Sequence, residues 1–514
     1  LLVASALLTV VFEVTGRIAD RTAGQFVYCL DDAYIHLAIA KHLVQNHVWG
    51  VTSHEFASAS SSPLWILLLA ADFLVQGVNT AIPLLLNVGS AIAALLLAGV
   101  LLRRRGLPTP AILAALAGIA FLTALPTLII EGMEHTLHIA LVVGWIALIE
   151  GPLRSEGVTP RRVAALGVLA AFMTVCRFES LFLVFMTCAI LFFRGSRRGA
   201  LIIGAAAWST VGAFALYSVE HGWHALPNSV LVKAPAHQWK TAHAIGMALG
   251  GQCLQQLASN PHVLVLVVAA AAALWALGRD GHRRILEGPR ALLVIFLGTT
   301  LLHLQFAQTN WFYRYEAYLL AFGILALGLA AADGPLLPVP RWAQAVAMVA
   351  LAIPLATRSA DALSRTVDAA KNIHDQQWQL GRFLRDEMGT RSVASYDIGS
   401  VSYLSDVHLV DLGGLGTLET GNVLMRGGFT RPAFDRILRS HDVELVALPL
   451  TLFKDLIPKS WRMVGQWKAP GPNRLLMEDV VTFYATGSSA QDLEARLRDF
   501  SEHELPADLE WRTF

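Results

Sequence analysis

Apolar runs about as long as a membrane is thick fill the first two thirds of the chain, and short alternating segments fill the last third. A helix needs about 20 apolar residues to cross the hydrocarbon layer. Such runs fall at 1–15, 81–102, 109–130, 135–150, 162–176, 179–193, 199–219, 262–278, 290–307, 317–332 and 342–357, which predicts eleven spans. LWILLLAADFLV at 64–75 is short for a span, contains Asp72 and follows Pro63. Basic loops decide its status. If 64–75 does not cross, the arginine-bearing loops at 103–106, 154–162, 194–198, 278–284 and 339–341 share one side. Positive charge marks the cytoplasmic side. The segment is therefore predicted to be a re-entrant or surface helix, with the N-terminus inside and residues after 357 outside.

From about residue 358 the period changes. A polar amphipathic helix, SADALSRTVDAAKNIHDQQWQLGRFLRDEMG, precedes the strand-like segments RSVASYDIG, HLVDLGGLG, HDVELVALPL, WRMVGQWKAP and LMEDVVTFYAT. Gly399 is expected to end the first strand. Strands alternating with helices predict a small α/β domain. The division is thus a transmembrane module over 1–357, with a first outside loop at 16–80, and an α/β domain over 358–514.

Composition agrees with this pattern. Of 514 residues 55% are hydrophobic and 15% charged, and the net charge of +1 gives no reason to expect nucleic acid. Cys29, Cys176, Cys188 and Cys253 are scattered without a Cys-x-x-Cys pair. Unpaired thiols are expected, a Cys29–Cys253 bridge across two outside loops being the alternative. The opening LLVASALLTV is read as a shortened first span rather than a cleavable signal, since no small-residue cleavage site follows.

Polar chemistry gathers in the outside loops. Residues 28–65 hold the adjacent carboxylates Asp31 and Asp32, then His36, Lys41 and His42 at helical intervals, then the small-polar run SASSSP. One carboxylate suffices to cap a helix, which leaves the second for other work. Leu37, Ala40 and Val44 recur as in a helix lying on a bilayer. EGMEH brings Glu131, Glu134 and His135; CRFES brings Arg177 and Glu179; HGWHALPNSVLVKAP brings His224, Asn228 and Lys233; NWFYRYEAYLL brings Arg314, Tyr315 and Glu316. Ionisable groups at membrane level are costly and tend to be functional. Arg177 with Glu179 reads equally as a structural ion pair, and His221, Trp223 and His224 read as interface residues. His135 and His138 do not make a metal box. Residues 412–416, LGGLG, lack the lysine and spacing of a phosphate loop.

DDAYIHLAIAKHL followed by SSSPLW resembles the first outside loop of the bacterial GT-C glycosyltransferases, closest to the cell-wall arabinofuranosyltransferase branch. EGMEH matches that family's Gly-x-Glu element, and CRFES its Arg-x-Glu element, with Phe178 where Pro is usual. LPNSVLVK matches a Pro-Asn-(x)-Lys loop, YRYEAYLL an Arg-Tyr element, and SYDIGSVSYLSDVHLVDLGGL the start of the C-terminal domain. The matches run in order from about 28 to 420. The resemblance implies a polytopic α-helical membrane protein of GT-C type with about eleven spans and a C-terminal extracytoplasmic α/β domain. It implies the bacterial cytoplasmic membrane, with the active site on the periplasmic side. The implied reaction is inverting transfer of a sugar from a polyprenyl-phosphate donor to an envelope glycan, lipid or protein acceptor, among membrane lipids.

Within that frame Asp31, with Asp32, is the expected base, and Glu134 orients the acceptor. Arg177, Lys233, Arg314 and Lys41 are expected to hold the donor phosphate. His36, Glu179, Asn228 and Tyr315 support them. A divalent cation held by Asp31 and Glu134 is compatible with the set. The competing class is a transporter or flippase of a lipid-linked or anionic substrate. That class favours corresponding half-repeats with broken spans near mid-membrane. Here the ionisable residues collect at one face and a sizeable domain follows the last span, which favours an enzyme.

Overall fold

The computed structural model describes residues 1–155, 157–232, 246, 250–278, 285–334, 336 and 339–514. The chain begins with α1 (Leu2–Arg21), α2 (Asp32–Asn46), α3 (Pro63–Gln76), α4 (Ile82–Arg104), α5 (Thr109–Ala117) and α6 (Leu125–Ile130). There follow α7 (His135–Arg154), α8 (Pro160–Cys176), α9 (Ser180–Phe193), α10 (Arg197–Glu220) and α11 (Asn228–Leu231). The last helices of this half are α12 (Gln252–Ser259), α13 (Pro261–Gly278), α14 (Gly288–Phe306), α15 (Ala317–Ala331) and α16 (Arg341–Ile373).

Among the described residues, α1, α4, α7, α10, α13, α14 and α16 are long and apolar enough to cross a membrane. The chain is a multi-pass membrane protein. The other four expected spans fall on shorter helices. Residues 109–130 break between α5 and α6, where Ala124 takes a left-handed φ of 62° and Pro126 restarts the helix. Residues 162–176, 179–193 and 317–332 become α8, α9 and α15. The segment at 64–75 forms α3, whose 14 residues span roughly 21 Å at 1.5 Å per residue, too short to cross.

No glycine or proline stands between Pro354 and Gly381, so nothing stops α16 at the end of its apolar part. It runs through residue 357 and continues by π turns at His374–Trp378 and Leu384–Met388. The residue range set for the two domains therefore meets inside one continuous helix. Its distal half buries Ala362, Thr366, Ala369, Ala370 and Ile373.

The C-terminal sheet has the order β2-β1-β3-β5-β4-β6. Its strands are β1 (Ser392–Ser395), β2 (His408–Asp411), β3 (Leu445–Leu448), β4 (Arg462–Lys468), β5 (Val480–Ala485) and β6 (Glu510–Thr513). β1 pairs in parallel with β2 and β3, and the remaining pairs are antiparallel. The five strand-like segments each supply one strand; β6 is additional. Gly399 does not end a strand: β1 stops at Ser395, and Gly399 opens the short helix α17 (Gly399–Leu404). Further helices α18 (Leu418–Met425), α19 (Arg431–Ser440), α20 (Leu450–Phe453) and α21 (Ala490–His503) complete the domain.

α2 differs from the surface helix expected. Leu37 and Ala40 are buried, but so are Tyr34, Ile35, His36, Ala38 and Ile39. α3 packs against it from one side and α17 from another. It is a buried strut joining the two halves. All four cysteines are free.

Candidate active site

The carboxyl ends of β1 and β2 point their loops at the transmembrane half, the edge at which open α/β sheets commonly bind ligands. From the first loop, Gly399 N–H donates to Asp31 Oδ2 at 2.6 Å, and the Ser400 N–H and hydroxyl both donate to Oδ1 at 2.8 Å. Asp31 thus caps α17 rather than its own helix. Only glycine fits at 399, because a Cβ there would run into Asp31's backbone oxygen. In the second loop Asp411 accepts from the N–H groups of Gly413, Leu415 and Gly416, each at 2.6 Å. That turn carries Leu415 into the wall of a cavity of about 800 Å³.

The cavity gathers residues from separate loops: Asp32, His36, Glu134, Arg177, Glu179, Arg314 and Tyr315 all line it. Asp32, one residue on from Asp31, turns into this space, and Arg314 Nη2 donates to its Oδ2 at 2.5 Å. Gly132, at φ 71°, makes the turn that ends the EGMEH loop, and Glu134 follows at the head of α7. Its carboxylate is not spent on capping and accepts instead from Arg177 Nη1 at 2.9 Å. Arg177 sits where extended backbone parts α8 from α9, and it also forks onto both oxygens of Glu179. Arg177 and Arg314 lie 5.5 and 5.1 Å from the centre of the Tyr315 ring, so one phenol steadies both cations.

His36 Nε2 meets the Ser60 hydroxyl at 2.9 Å, and its Nδ1 lies 3.8 Å from Glu134 Oε2. Burial holds the His36 imidazole below its usual pKa, and hence neutral. Neither His36 Nδ1 nor Glu134 Oε2 makes a hydrogen bond within the protein, and both groups border the cavity. Behind them Glu131 is wholly buried, and burial pushes its carboxyl well above the ordinary range.

Other expected residues stand elsewhere. Asp31 has both oxygens engaged by the α17 backbone and does not line the cavity. Lys41 Nζ donates to Tyr403 O at 3.0 Å and lies 3.7 Å from Asp406, which ties it to the C-terminal domain away from the cavity. Asn228 clamps two loops, donating from its side chain to Gly414 O and from its backbone to Ser58 O, each at 2.9 Å. Lys233 lies outside the described residues. Among the described residues, no three His, Cys, Asp or Glu side chains gather closely enough to hold a metal ion. Asp31 and Glu134 in particular face different partners, so they do not fit a shared cation.

Sequence reasoning missed the brace behind Arg314. Glu316 accepts from Arg358 Nε at 3.1 Å and Nη2 at 2.7 Å, and from His262 Nε2 at 3.2 Å; its other oxygen takes the Asn310 N–H at 2.8 Å. Arg358 stands where the apolar run ends, just before the polar helix, and local pattern gives it no role. Only the unbroken α16 turns it inward. Ser60 and Ser61 also border the cavity, and the SASSSP run is their signal.

A family model described as a domain of unknown function, DUF8728, matches residues 371–484, which lie in the distal part of α16 and the sheet domain. No curated protein sequence is similar to the chain. Among solved structures, ArnT from Cupriavidus metallidurans bound to undecaprenyl phosphate aligns with a TM-score of 0.53 over 95% of this chain and 98% of its own, at 13% identity. The chain has the GT-C fold. The apo form of ArnT gives the same TM-score and coverage at 11% identity. The archaeal oligosaccharyltransferase AglB from Archaeoglobus fulgidus, in complex with an inhibitory peptide and a dolichol-phosphate, aligns at 0.47 over 87% of this chain and 69% of its own, at 11% identity. The cavity lies in the helical half, with Leu415 of the sheet domain at its wall.

Proposed function

We propose that the protein is an inverting glycosyltransferase that takes a sugar from a polyprenyl-phosphate donor on the outer face of the membrane. The observation that carries this reading is the convergence of Asp32, Glu134, Arg177 and Arg314, from separate loops, on one cavity in the helical half that Leu415 of the sheet domain also borders. The match of the whole chain to a fold whose solved example holds undecaprenyl phosphate agrees with it.

The chemistry follows from the placement. A lipid phosphate enters between Arg177 and Arg314, where fixed guanidinium forks compensate its charge. The apolar wall formed by Leu181, Phe182, Trp208, Val211 and Phe306 suits the prenyl chain. Asp32 takes the proton of the acceptor hydroxyl as that oxygen attacks the anomeric carbon. The bond from that carbon to the phosphate oxygen breaks, and its electron pair leaves with the polyprenyl phosphate. Attack opposite the leaving group inverts the centre. Glu134 and His36 offer an acceptor and a neutral imidazole to sugar or acceptor hydroxyls. The resemblance to the arabinofuranosyltransferase branch, carried by the motifs that run in order from about 28 to 420, makes a pentosyl donor the first to try.

The test is transfer of label from a panel of radiolabelled polyprenyl-phosphate pentoses and hexoses to extracted envelope material, using the full chain in membranes. Transfer that the Asp32→Asn protein does not support is the expected result. Absence of transfer from every donor, by a folded protein, would count against the reading.

A further inference from the structure

Two buried polar atoms at the cavity wall stand without a hydrogen bond. His36 Nδ1 and Glu134 Oε2 lie 3.8 Å apart on side chains only 6% and 1% exposed, and neither is hydrogen-bonded among the described residues. Buried polar atoms are rarely left so, and both of these side chains line the cavity. The other ends of the two groups are committed. Glu134 Oε1 takes Arg177 Nη1 at 2.9 Å, and His36 Nε2 meets the Ser60 hydroxyl at 2.9 Å.

Ser60 decides which nitrogen of the imidazole carries the proton. Its oxygen already accepts the Ser62 N–H at 3.0 Å, so its own proton goes to His36 Nε2, the one acceptor it meets among the described residues. A neutral imidazole that accepts at Nε2 holds its proton on Nδ1. The cavity therefore receives a donor from His36 and an acceptor from Glu134, too far apart to bond each other. An oxygen about 2.8 Å from each would see them at roughly 85°, room for a single hydroxyl that accepts from the imidazole and donates to the carboxylate.

The carboxylate also fixes where that hydroxyl stands on the sugar. Its other oxygen is on Arg177, one of the cations assigned to the donor phosphate, so the hydroxyl site lies one carboxylate's width from that cation. In a glycosyl phosphate the ring hydroxyl nearest the phosphate is the one on the carbon beside the anomeric carbon. We propose that His36 and Glu134 read the 2-hydroxyl of the donor sugar, with Ser60 fixing the imidazole tautomer that does so. A sugar without that hydroxyl leaves a buried donor and a buried carboxylate oxygen unpaired, and a site built on a hydroxyl rejects such an analogue strongly. The inference rests on the reading of the cavity as the site of a lipid-phosphate sugar donor.

The probes are undecaprenyl phosphate, undecaprenyl-phosphoryl arabinofuranose, undecaprenyl-phosphoryl glucose and the 2-deoxy analogue of each sugar, titrated into the full chain in lipid nanodiscs. Equilibrium binding without acceptor keeps the higher reactivity of deoxy sugars out of the readout. With each hydrogen bond counting about ten-fold, wild type should prefer one of the intact sugars over its 2-deoxy form on the order of a hundred-fold. His36→Phe keeps a ring but loses the donor, so the preference should fall to about ten-fold while affinity for undecaprenyl phosphate stays within about two-fold. Ser60→Ala frees the tautomer and should also lower the preference, and Ser60→Thr, which keeps a hydroxyl, should restore it. Should His36→Phe not fold, the Ser60 pair carries the test. A wild type that binds undecaprenyl phosphate but prefers neither intact sugar overturns the proposal alone, as does an undiminished preference in the folded variants. Wild-type protein that binds none of the lipid phosphates overturns the donor reading and the proposal with it.

Discussion

Successive side chains at a helix start point about 100° apart, and that angle separates the work of Asp31 from that of Asp32. Asp31 faces the sheet domain and accepts three hydrogen bonds from Gly399 and Ser400; Asp32 faces the cavity. Substitution by asparagine should split the two roles. Asp32→Asn should leave a folded protein slowed about 10²–10⁴-fold in transfer, the usual cost of losing a general base. In Asp31→Asn one oxygen becomes an NH₂ aimed at a donor, so a buried N–H loses its partner at about 1–3 kcal/mol. That protein should melt lower yet keep most of its turnover when folded. Thermal unfolding and single-turnover transfer on both variants check this, and the reverse pattern would return the base to Asp31. The pair as a whole was legible in the sequence, because two carboxylates at one helix start exceed what a cap needs. Which of them enters the cavity was not, since the answer depends on a loop 368 positions away. Arg177, Arg314, Glu134, His36, Glu179 and Tyr315 were legible for another reason: each is polar in a stretch otherwise apolar. Lys41 looked the same by that criterion, and its tie to Tyr403 O could not be read from local pattern.

At the scale of elements, spans were legible where an apolar run is long, and strands where alternation is clean. The errors came where one element borrows from another. α2 reads as a surface helix because its pattern is amphipathic, yet α3 and α17 pack against it and most of its residues are buried. α16 reads as a span followed by a separate polar helix because hydropathy drops, whereas backbone continuity depends on breakers, and none occurs between Pro354 and Gly381. The seam between α2 and α17 makes a sharp prediction. A methyl group at position 399 meets Asp31's backbone oxygen as well as its carboxylate, and backbone cannot step aside as a flexible side chain can. Gly399→Ala should wedge α17 off α2 without disturbing the transmembrane core, since Gly399 touches nothing in the span bundle by that route. Hydrogen exchange should accelerate at 396–404 while remaining slow in α7 and α14. Gly16, where added Cβ meets nothing within 4 Å, is the control expected to tolerate alanine.

The two halves of the molecule are joined through a seam rich in buried carboxyls, and this gives their union a pH dependence. Asp397 accepts from Gln377 at 3.0 Å and is pushed up to about 7, by burial first and by the Asp31 carboxylate next. Asp31 itself is raised by burial, and burial lifts Asp411 to about 6. An unfolded aspartate titrates near ~3.9. A folded-state pKa above that value means the folded seam holds its proton more tightly than the open chain does. The stability this gives is complete below about pH 4 and is lost as pH rises through about 7. His408, held below its ordinary pKa by burial and by His54 stacked 3.8 Å away, is neutral at and above neutral pH and does not offset the trend there. Raising the pH from 6.5 to 8 should therefore loosen the contact between α2 and the sheet domain, seen as a falling melting temperature and faster exchange at 396–404. Asp397→Asn keeps an acceptor for Gln377 but cannot ionise, so its melting temperature should fall less across the same window. A seam that tightens with rising pH would mean that Asp397 is ionised and paired in the folded protein.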